Sequence, residues 1–471
     1  MHKSNQWILL MSTSVVSFMS TIDASIVNIA VPKISRDLLI PNNQAEWIVS
    51  VYLVLICVLL IFFGKLSDQI GRIRIFQIGT LVFGMGSLLC GISVNLPMIL
   101  VSRAIQALGA SMTMSTNFSI ITQIFPANRH GIALGINSSV VQIGNMAGPG
   151  VGGLILSFLN WHYIFFINVP IGIAAYFLGR HFFPKRKSNH SQVNIDLAGY
   201  LTYAGMIVSF FVMIFWGQII GFGHWKIVLL LVLTLGLLAA FIWIEHRQTD
   251  PLIDLKIFHN VGFSFGILSA MLVYSCGYFN NVIMPFYLQD RLLLSSAATG
   301  VILMSVPILN FFSAPVGGMI SDRIGAEQIS FYALLIFVIP EIIFIMVQPT
   351  WPLIWLVIGL ALFGTANGTF QNNPMIMGNA GAEFQGIAGS IAALGRNLGM
   401  SIGLAMATSL LYHGISLQAG YRMTTYPDKH PEWFAAGMHY AYRYAFGLII
   451  IAIILLAVVL YRQRQNPIKN R

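Results

Sequence analysis

Apolar stretches of about 20 residues recur almost without pause along this chain of 471 residues, and each is long enough to cross a hydrocarbon core of roughly 30 Å. Hydrophobic residues make up 57% of the chain and charged residues only 8%. An ordinary soluble domain carries about 25% charged residues, so a water-soluble surface cannot be made from this composition. The first stretch runs from Trp7 to Val31, contains Asp23 and lacks a small-residue cleavage site, so it reads as a retained first span rather than a signal peptide. Cys57, Cys90 and Cys276 all fall inside apolar segments. An odd count without CxxC spacing implies neither a disulfide nor a metal site.

The fold class expected is an all-α integral membrane protein with fourteen spans, at roughly 7–31, 46–66, 75–95, 97–124, 131–157, 161–181, 197–218, 224–244, 261–288, 296–320, 328–348, 352–373, 386–411 and 439–461. With the N-terminus inside, 16 of the 25 basic residues fall on the cytoplasmic side and seven on the other, with Arg103 and Arg396 inside spans. That bias predicts a multi-pass protein of the cytoplasmic membrane with both termini cytoplasmic. It also accounts for the net charge of +10 without nucleic acid, since no basic cluster is interleaved with aromatics on a soluble module.

The spans are not independent of one another. Gly64-Lys65-Leu66-Ser67-Asp68-Gln69-Ile70-Gly71 reappears as Gly318-Met319-Ile320-Ser321-Asp322-Arg323-Ile324-Gly325, an offset of 322 − 68 = 254. Asn28-x-x-x-Pro32 and Asn281-x-x-x-Pro285 match at 253, and Gly131-Ile132-Ala133 with Gly144 and Gly148 matches Gly386-Ile387-Ala388 with Gly399 and Gly403 at 255. Three matches at one period predict an internal duplication. They organise the chain as an N-terminal six-helix bundle (1–183), a cytoplasmic linker (184–196), an inserted two-helix hairpin with its connecting loop (197–260) and a C-terminal six-helix bundle (261–471). Parallel six-span repeats suit transporters in which two bundles rock about a site near the bilayer midplane.

Of the 15 carboxylates, only Asp23 and Glu341 read as lying well inside a span. A charge at that depth is costly unless paired or protonated, which makes an intramembrane acid a functional candidate. Asp23 sits about 12 Å below the expected outer end of span 1, and Arg103 roughly 9 Å below the same face in span 4. The pair is expected to share a cavity in the outer half, where burial and the nearby cation move the acid's proton affinity in opposite directions; a static structural ion pair is the plainer alternative. For Glu341 a protonated or interfacial glutamate is favoured over a substrate or proton role. Gly64, Asp68, Gly71 and Arg72, with Asp322 in the second repeat, read as a cytoplasmic gate latch rather than only a short anchored loop. In span 5, Gly144, Gly148, Pro149, Gly152 and Gly153 predict close helix contact and a proline-bent backbone. Arg396 either snorkels to the interface or faces an inner cavity.

At these residues the chain resembles the major facilitator superfamily, and within it the fourteen-spanner drug/proton antiporter branch. The likeness covers nearly the whole length. Asp23 to Pro32, with Asn28, is similar to that branch's span 1 signature, and Gly64, Asp68, Gly71 and Arg72 to the superfamily's loop between spans 2 and 3. Arg103, Gln106 and Gly109 resemble the span 4 pattern Arg-x-x-Gln-Gly-x-Gly, with Ala107 in place of its first glycine. Gly144, Gly148, Pro149, Gly152 and Gly153 resemble the span 5 motif associated with antiporters. Trp161 to Gly172 resembles the span 6 entry, with His162 where arginine is usual.

The resemblance implies a proton-driven exporter of hydrophobic, often cationic compounds, working by alternating access, with Asp23 binding a proton or cation and Arg103 coupling it. It also implies that third spans of each repeat, and so Glu341, are peripheral. Expected partners are the small substrate, protons and the bilayer; a monomer is expected, with no cofactor, no metal and no nucleic acid. A same-fold transporter of a physiological solute such as a lipid or metabolite is the nearest rival. A membrane-embedded enzyme is disfavoured because the histidines are scattered and no metal-spaced set, phosphate loop or nucleophile elbow is present.

Overall fold

The computed structural model describes residues 3–125, 130–182, 196–221, 223–248, 251–348, 350–380, 385–423, 427, 430 and 432–465. Inside those helices the side chains of Asp68, Pro149 and Asp322 lie outside the description. Among the described residues fourteen helices of 15 residues or more follow one another: α1 Lys3–Asp37, α2 Trp47–Ile70, α3 Arg72–Gly91, α4 Leu96–Ile124, α5 His130–Phe158, α6 Asn168–Phe182, α7 Leu197–Ile220, α8 Trp225–Arg247, α9 Val261–Phe286, α10 Ser305–Ile324, α11 Ala326–Met346, α12 Leu353–Thr369, α13 Gln385–Ala419 and α14 Glu432–Gln465.

The sequence expectation was fourteen spans; among the described residues twelve helices are long and apolar enough to cross a membrane. The two that do not qualify are α4 and α5. Each has 29 residues, about 43 Å at 1.5 Å per residue, so length is not what separates them. Arg103, Gln106, Thr113, Thr116 and Asn117 on α4, and Asn137, Ser138, Ser139, Gln142 and Asn145 on α5, dilute their apolarity.

Local chemistry explains the helix ends. Asn95 caps α4 by accepting from the Met98 amide at 2.9 Å, Asp196 caps α7 through Gly199, and Asn260 caps α9 through Gly262 and Phe263. Gly71, Gly221 and Gly325 end α2, α7 and α10 at φ of +113°, +93° and +96°, backbone that side-chain-bearing residues rarely adopt. Leu39 and Leu293 also take positive φ, at 51° and 55°, and stand 254 positions apart.

The chain divides into two compact units, one of Met1–Ser20, Ser50–Val140 and Phe165–His259, the other of Thr21–Val49, Val141–Ile164 and Asn260–Arg471. In the first, α3 and α4 approach so closely that a Cβ on Gly86 would lie 2.5 Å from the Gln106 amide. The start of α1 is tied in by Asn117 donating to the Thr13 carbonyl at 3.2 Å and Ser12 to Ala175 at 3.2 Å. The α7–α8 hairpin docks on α2, with the Tyr203 hydroxyl donating to the Cys57 carbonyl at 2.8 Å and the Tyr200 ring tilted against Phe62 at 4.7 Å. Its helices are joined by a Ser209–Thr234 hydroxyl pair at 2.9 Å.

In the second unit, α9 lies against α13 where Gly399 meets the Met271 carbonyl and Ser275 donates to Gly399 at 2.7 Å. The later half of α1 packs on the later half of α5, and the 38–46 connection packs on α13 through Glu46 and Thr408. All three cysteines are buried, with no disulfide between them.

Candidate functional site

In the first unit Arg103 is wholly buried. Seven residues into α4, its guanidinium donates to Gln106 Oε1 at 2.6 Å, one helical turn on, and lies 4.1 Å from the centroid of the Tyr52 ring, with Phe165 at 5.9 Å. Gln106 in turn donates to Ser87 at 2.8 Å. An amide that accepts from the cation and donates to a hydroxyl disperses the charge over a hydrogen-bonded chain, while the aromatic faces hold it by their quadrupoles. Tyr52 and Ser87 carry no sequence signal that singles them out; the helix contact at Gly86 brings Ser87 to Gln106.

Asp23 belongs to the second unit and is 1% exposed. Helix α1 runs on to Asp37, six residues beyond the expected end of span 1, so Asp23 lies 14 residues from its helix end, about 21 Å. Arg103, counted from Leu96, lies about 10 Å from its own helix end. One turn along from Asp23, Asn28 donates to the Ala24 carbonyl at 3.1 Å. Ser25 and Ile26, just beyond Asp23, meet Gly148 and Gly152 of α5: a Cβ on Gly148 would fall 2.5 Å from that of Ser25, and one on Gly153 would lie 2.7 Å from the Ser296 carbonyl. Gly144 and Gly148 are buried; of the glycines expected to permit close approach, Gly148 and Gly152 meet the helix that carries Asp23, while Gly153 meets Ser296. Helix α5 continues unbroken through position 149.

Glu341 is wholly buried on α11. Cys276 donates its thiol to Oε1 at 3.0 Å, and Tyr442 on α14 donates to Asn280 at 2.7 Å beside it. By the repeat offset Glu341 corresponds to Ser87, so both third helices of the duplication contribute a buried polar group. Glu341 sits among α9, α11 and α14, and the structure does not bring it to Asp23's glycine-lined contact.

The paired loops repeat in backbone as well as in sequence. Ser67 donates to the Gly64 carbonyl at 2.7 Å, Gly71 N–H to Ser67 at 2.9 Å, and Gly325 N–H to Ser321 at 2.8 Å. Arg72 reaches the Ser119 carbonyl at 3.5 Å and Lys65 the Pro251 carbonyl at 3.4 Å. The latch expected from Asp68 and Asp322 rests on side chains outside the described residues. Arg396 is half-buried on α13. His162 stacks on Trp161 at 3.7 Å.

Glu46 was not singled out by sequence, which places it at a span edge. It is 5% exposed and hydrogen-bonded to Thr408 on α13. Among the described residues no cluster of three or more histidine, cysteine or acidic residues could hold a metal ion.

A family profile described as Major Facilitator Superfamily matches residues 13–196, 196–404 and 266–471. The chain is 33% identical to the riboflavin transporter RibZ of Clostridioides difficile over 92% of its own length and 95% of that protein's. It is 28% identical to the tetracenomycin C resistance and export protein of Streptomyces glaucescens, over 91% and 79%. The multidrug resistance protein Stp of Mycobacterium tuberculosis is 27% identical over 86% and 76%. A bacterial homologue of the human lysosomal transporter Spinster, solved in an inward-facing occupied conformation, superposes with a TM-score of 0.66 over 97% of both chains at 16% identity.

Proposed function

We propose, from the premise that this chain belongs to the Major Facilitator Superfamily, a proton-coupled antiporter that exports hydrophobic, often cationic compounds by alternating access. The chain is a transporter and not an enzyme, as its family is. The observation that carries the finer reading is the pair of buried charges on the long helices α1 and α4, Asp23 at 1% and Arg103 at 0% exposure. Charges are kept at such depth where they serve ion or substrate pathways. In this reading Asp23 exchanges the proton and Arg103 biases its affinity. The glycine face of α5 against α1 is the surface along which the carrier moves, and the relatives named for drug resistance and export support that direction of transport.

The proposal extends to topology. With α4 and α5 also crossing, the chain makes fourteen passes as six, two and six, both termini lie in the cytoplasm of a cell-membrane protein, and the monomer works without a cofactor on the proton gradient. Helix α1 then ends at the external face, and the 38–46 connection lies there. Asp68 and Asp322 with their glycines form the cytoplasmic latch.

A second reading follows from the 33% identity to a riboflavin transporter: the same machinery moving a flat, heteroaromatic metabolite. The test is accumulation of a panel of cationic dyes, antibiotics and labelled riboflavin in cells carrying the wild type or Asp23→Asn. Energy-dependent exclusion of one or more drugs, lost in Asp23→Asn, is expected. Movement of riboflavin alone would replace drug export by the second reading, and full gradient-driven transport by Asp23→Asn would remove Asp23 from coupling.

A further inference from the structure

We propose that Glu46 is a proton-binding site separate from Asp23, a carboxyl that takes up a proton from the external medium as the outer mouth closes and returns it as the mouth opens. The inference rests on the alternating-access reading and its orientation, but not on what is transported.

Glu46 ends the short helix Asn42–Ala45 in the connection between the first two spans, Gln6–Asp37 and Trp47–Ser67. It is buried against α13, where its carboxyl meets the Thr408 hydroxyl. That hydroxyl has one hydrogen and two oxygens within reach, since the Leu404 carbonyl lies 3.0 Å away. If Thr408 donates to Leu404, the hydrogen between Thr408 and Glu46 must come from Glu46. A neutral carboxyl satisfies the arrangement; an ionised one would compete with Leu404 for the same proton. Burial pushes Glu46 from its usual 4.5 up to about 8, outweighing the opposite effect of the Thr408 hydrogen bond.

The groups facing Glu46 set the rest of the site. From α13, Tyr412 stands one turn beyond Thr408 and bonds to Asn42. Asn42 also accepts from the Ser35 hydroxyl at 2.6 Å, and Ser35 is within reach of the Ile40 carbonyl at 2.7 Å, so the connection is knitted to the end of α1. The segment after α9 presents Asp290, which acts on Tyr412 and is paired with Arg36. Parting of the 38–46 connection from α13 would admit water to Glu46 and return it to the ordinary carboxylate range.

The sign follows from the raised value in the closed arrangement. Between about 4.5 and about 8 the closed form holds a proton that the open form lacks. The ratio of closed to open therefore rises about tenfold for each pH unit lowered within that window, and is constant outside it.

Spin labels on Leu39→Cys and Leu293→Cys, both highly exposed side chains in the same unit as Glu46, report this by electron–electron distance measurements. The sample is the full-length protein in nanodiscs across that pH range without substrate. The expected result is a short-distance population whose ratio to the long one climbs about tenfold per unit more steeply in wild type than in Glu46→Gln. Glu46→Asp, which still titrates, should keep a slope. Equal slopes in wild type and Glu46→Gln, or a wild-type distribution indifferent to pH, would overturn the assignment. Should Glu46→Gln fail to fold, Glu46→Leu, which likewise takes up no proton, replaces it: loss of the slope there would support the assignment, and a slope as steep as in wild type would sink it. Failure of drug export with the slope intact would count against the antiport reading and leave Glu46 standing.

Discussion

Arg103 shows how one buried cation is kept without being buried bare. Its guanidinium is bonded to Gln106 and set over Tyr52. A lysine keeps the charge but not the planar fork that satisfies both partners. Arg103→Lys is expected to cost about 1–3 kcal/mol, from a charge-assisted hydrogen bond and a desolvated cation–π contact. The change would be read as a lower melting temperature of the detergent-solubilised protein; an unaltered melting temperature would mean that the Tyr52 and Gln106 contacts contribute little. Sequence reading located Arg103 and Asp23 because charge inside apolar sequence is conspicuous. It passed over Glu46 because a glutamate beside Trp47 at a span edge looks solvated. Only the fold shows that the connection carrying it turns inward onto Thr408.

At the scale of elements, small residues at spacing four on α5 were legible, and so was their purpose, since glycine is what lets two helices approach. Which helix they approach was not legible. The structure answers with Ser25 and Ile26 of α1. Gly148→Ala would drive a methyl group into Ser25, an overpacking cost of about 1–3 kcal/mol, with transport reduced accordingly. Ser25→Gly removes both the hydroxyl and the Cβ that the new methyl meets, leaving the Ile26 amide at 3.3 Å as the next neighbour. The double variant should therefore transport better than Gly148→Ala alone. A double variant no better than the single one would place the defect elsewhere than this contact. Span counting was less secure for a related reason: α4 and α5 carry enough polar residues to fall short of the apolarity of the other twelve helices.

For the whole molecule, the duplication was the most informative thing in the sequence, because motifs 254 residues apart report a common ancestor more surely than any one motif reports a function. The backbone extends it where residues give no hint: Leu39 and Leu293 share a left-handed conformation that no leucine advertises. Arg36 and Asp290 stand at the same offset and form an ion pair, with the arginine side chain 55% exposed. A half-exposed pair of this kind is worth about 1 kcal/mol, and reversing one charge adds a repulsion of similar size, so Arg36→Asp or Asp290→Arg alone should slow transport by up to about thirtyfold. The reciprocal exchange should recover the loss. If the exchanged pair were as slow as the single variants, the contact would have no part in bringing these ends together.

That pair also dates itself. Were the two repeats still separate, identical chains associated about a two-fold axis, the residue at this position would confront its own copy, arginine against arginine or aspartate against aspartate. Attraction here became available only once the copies were joined in one polypeptide and free to diverge. The ion pair is thus a mark of heredity, an interaction that a symmetric ancestor could not have made.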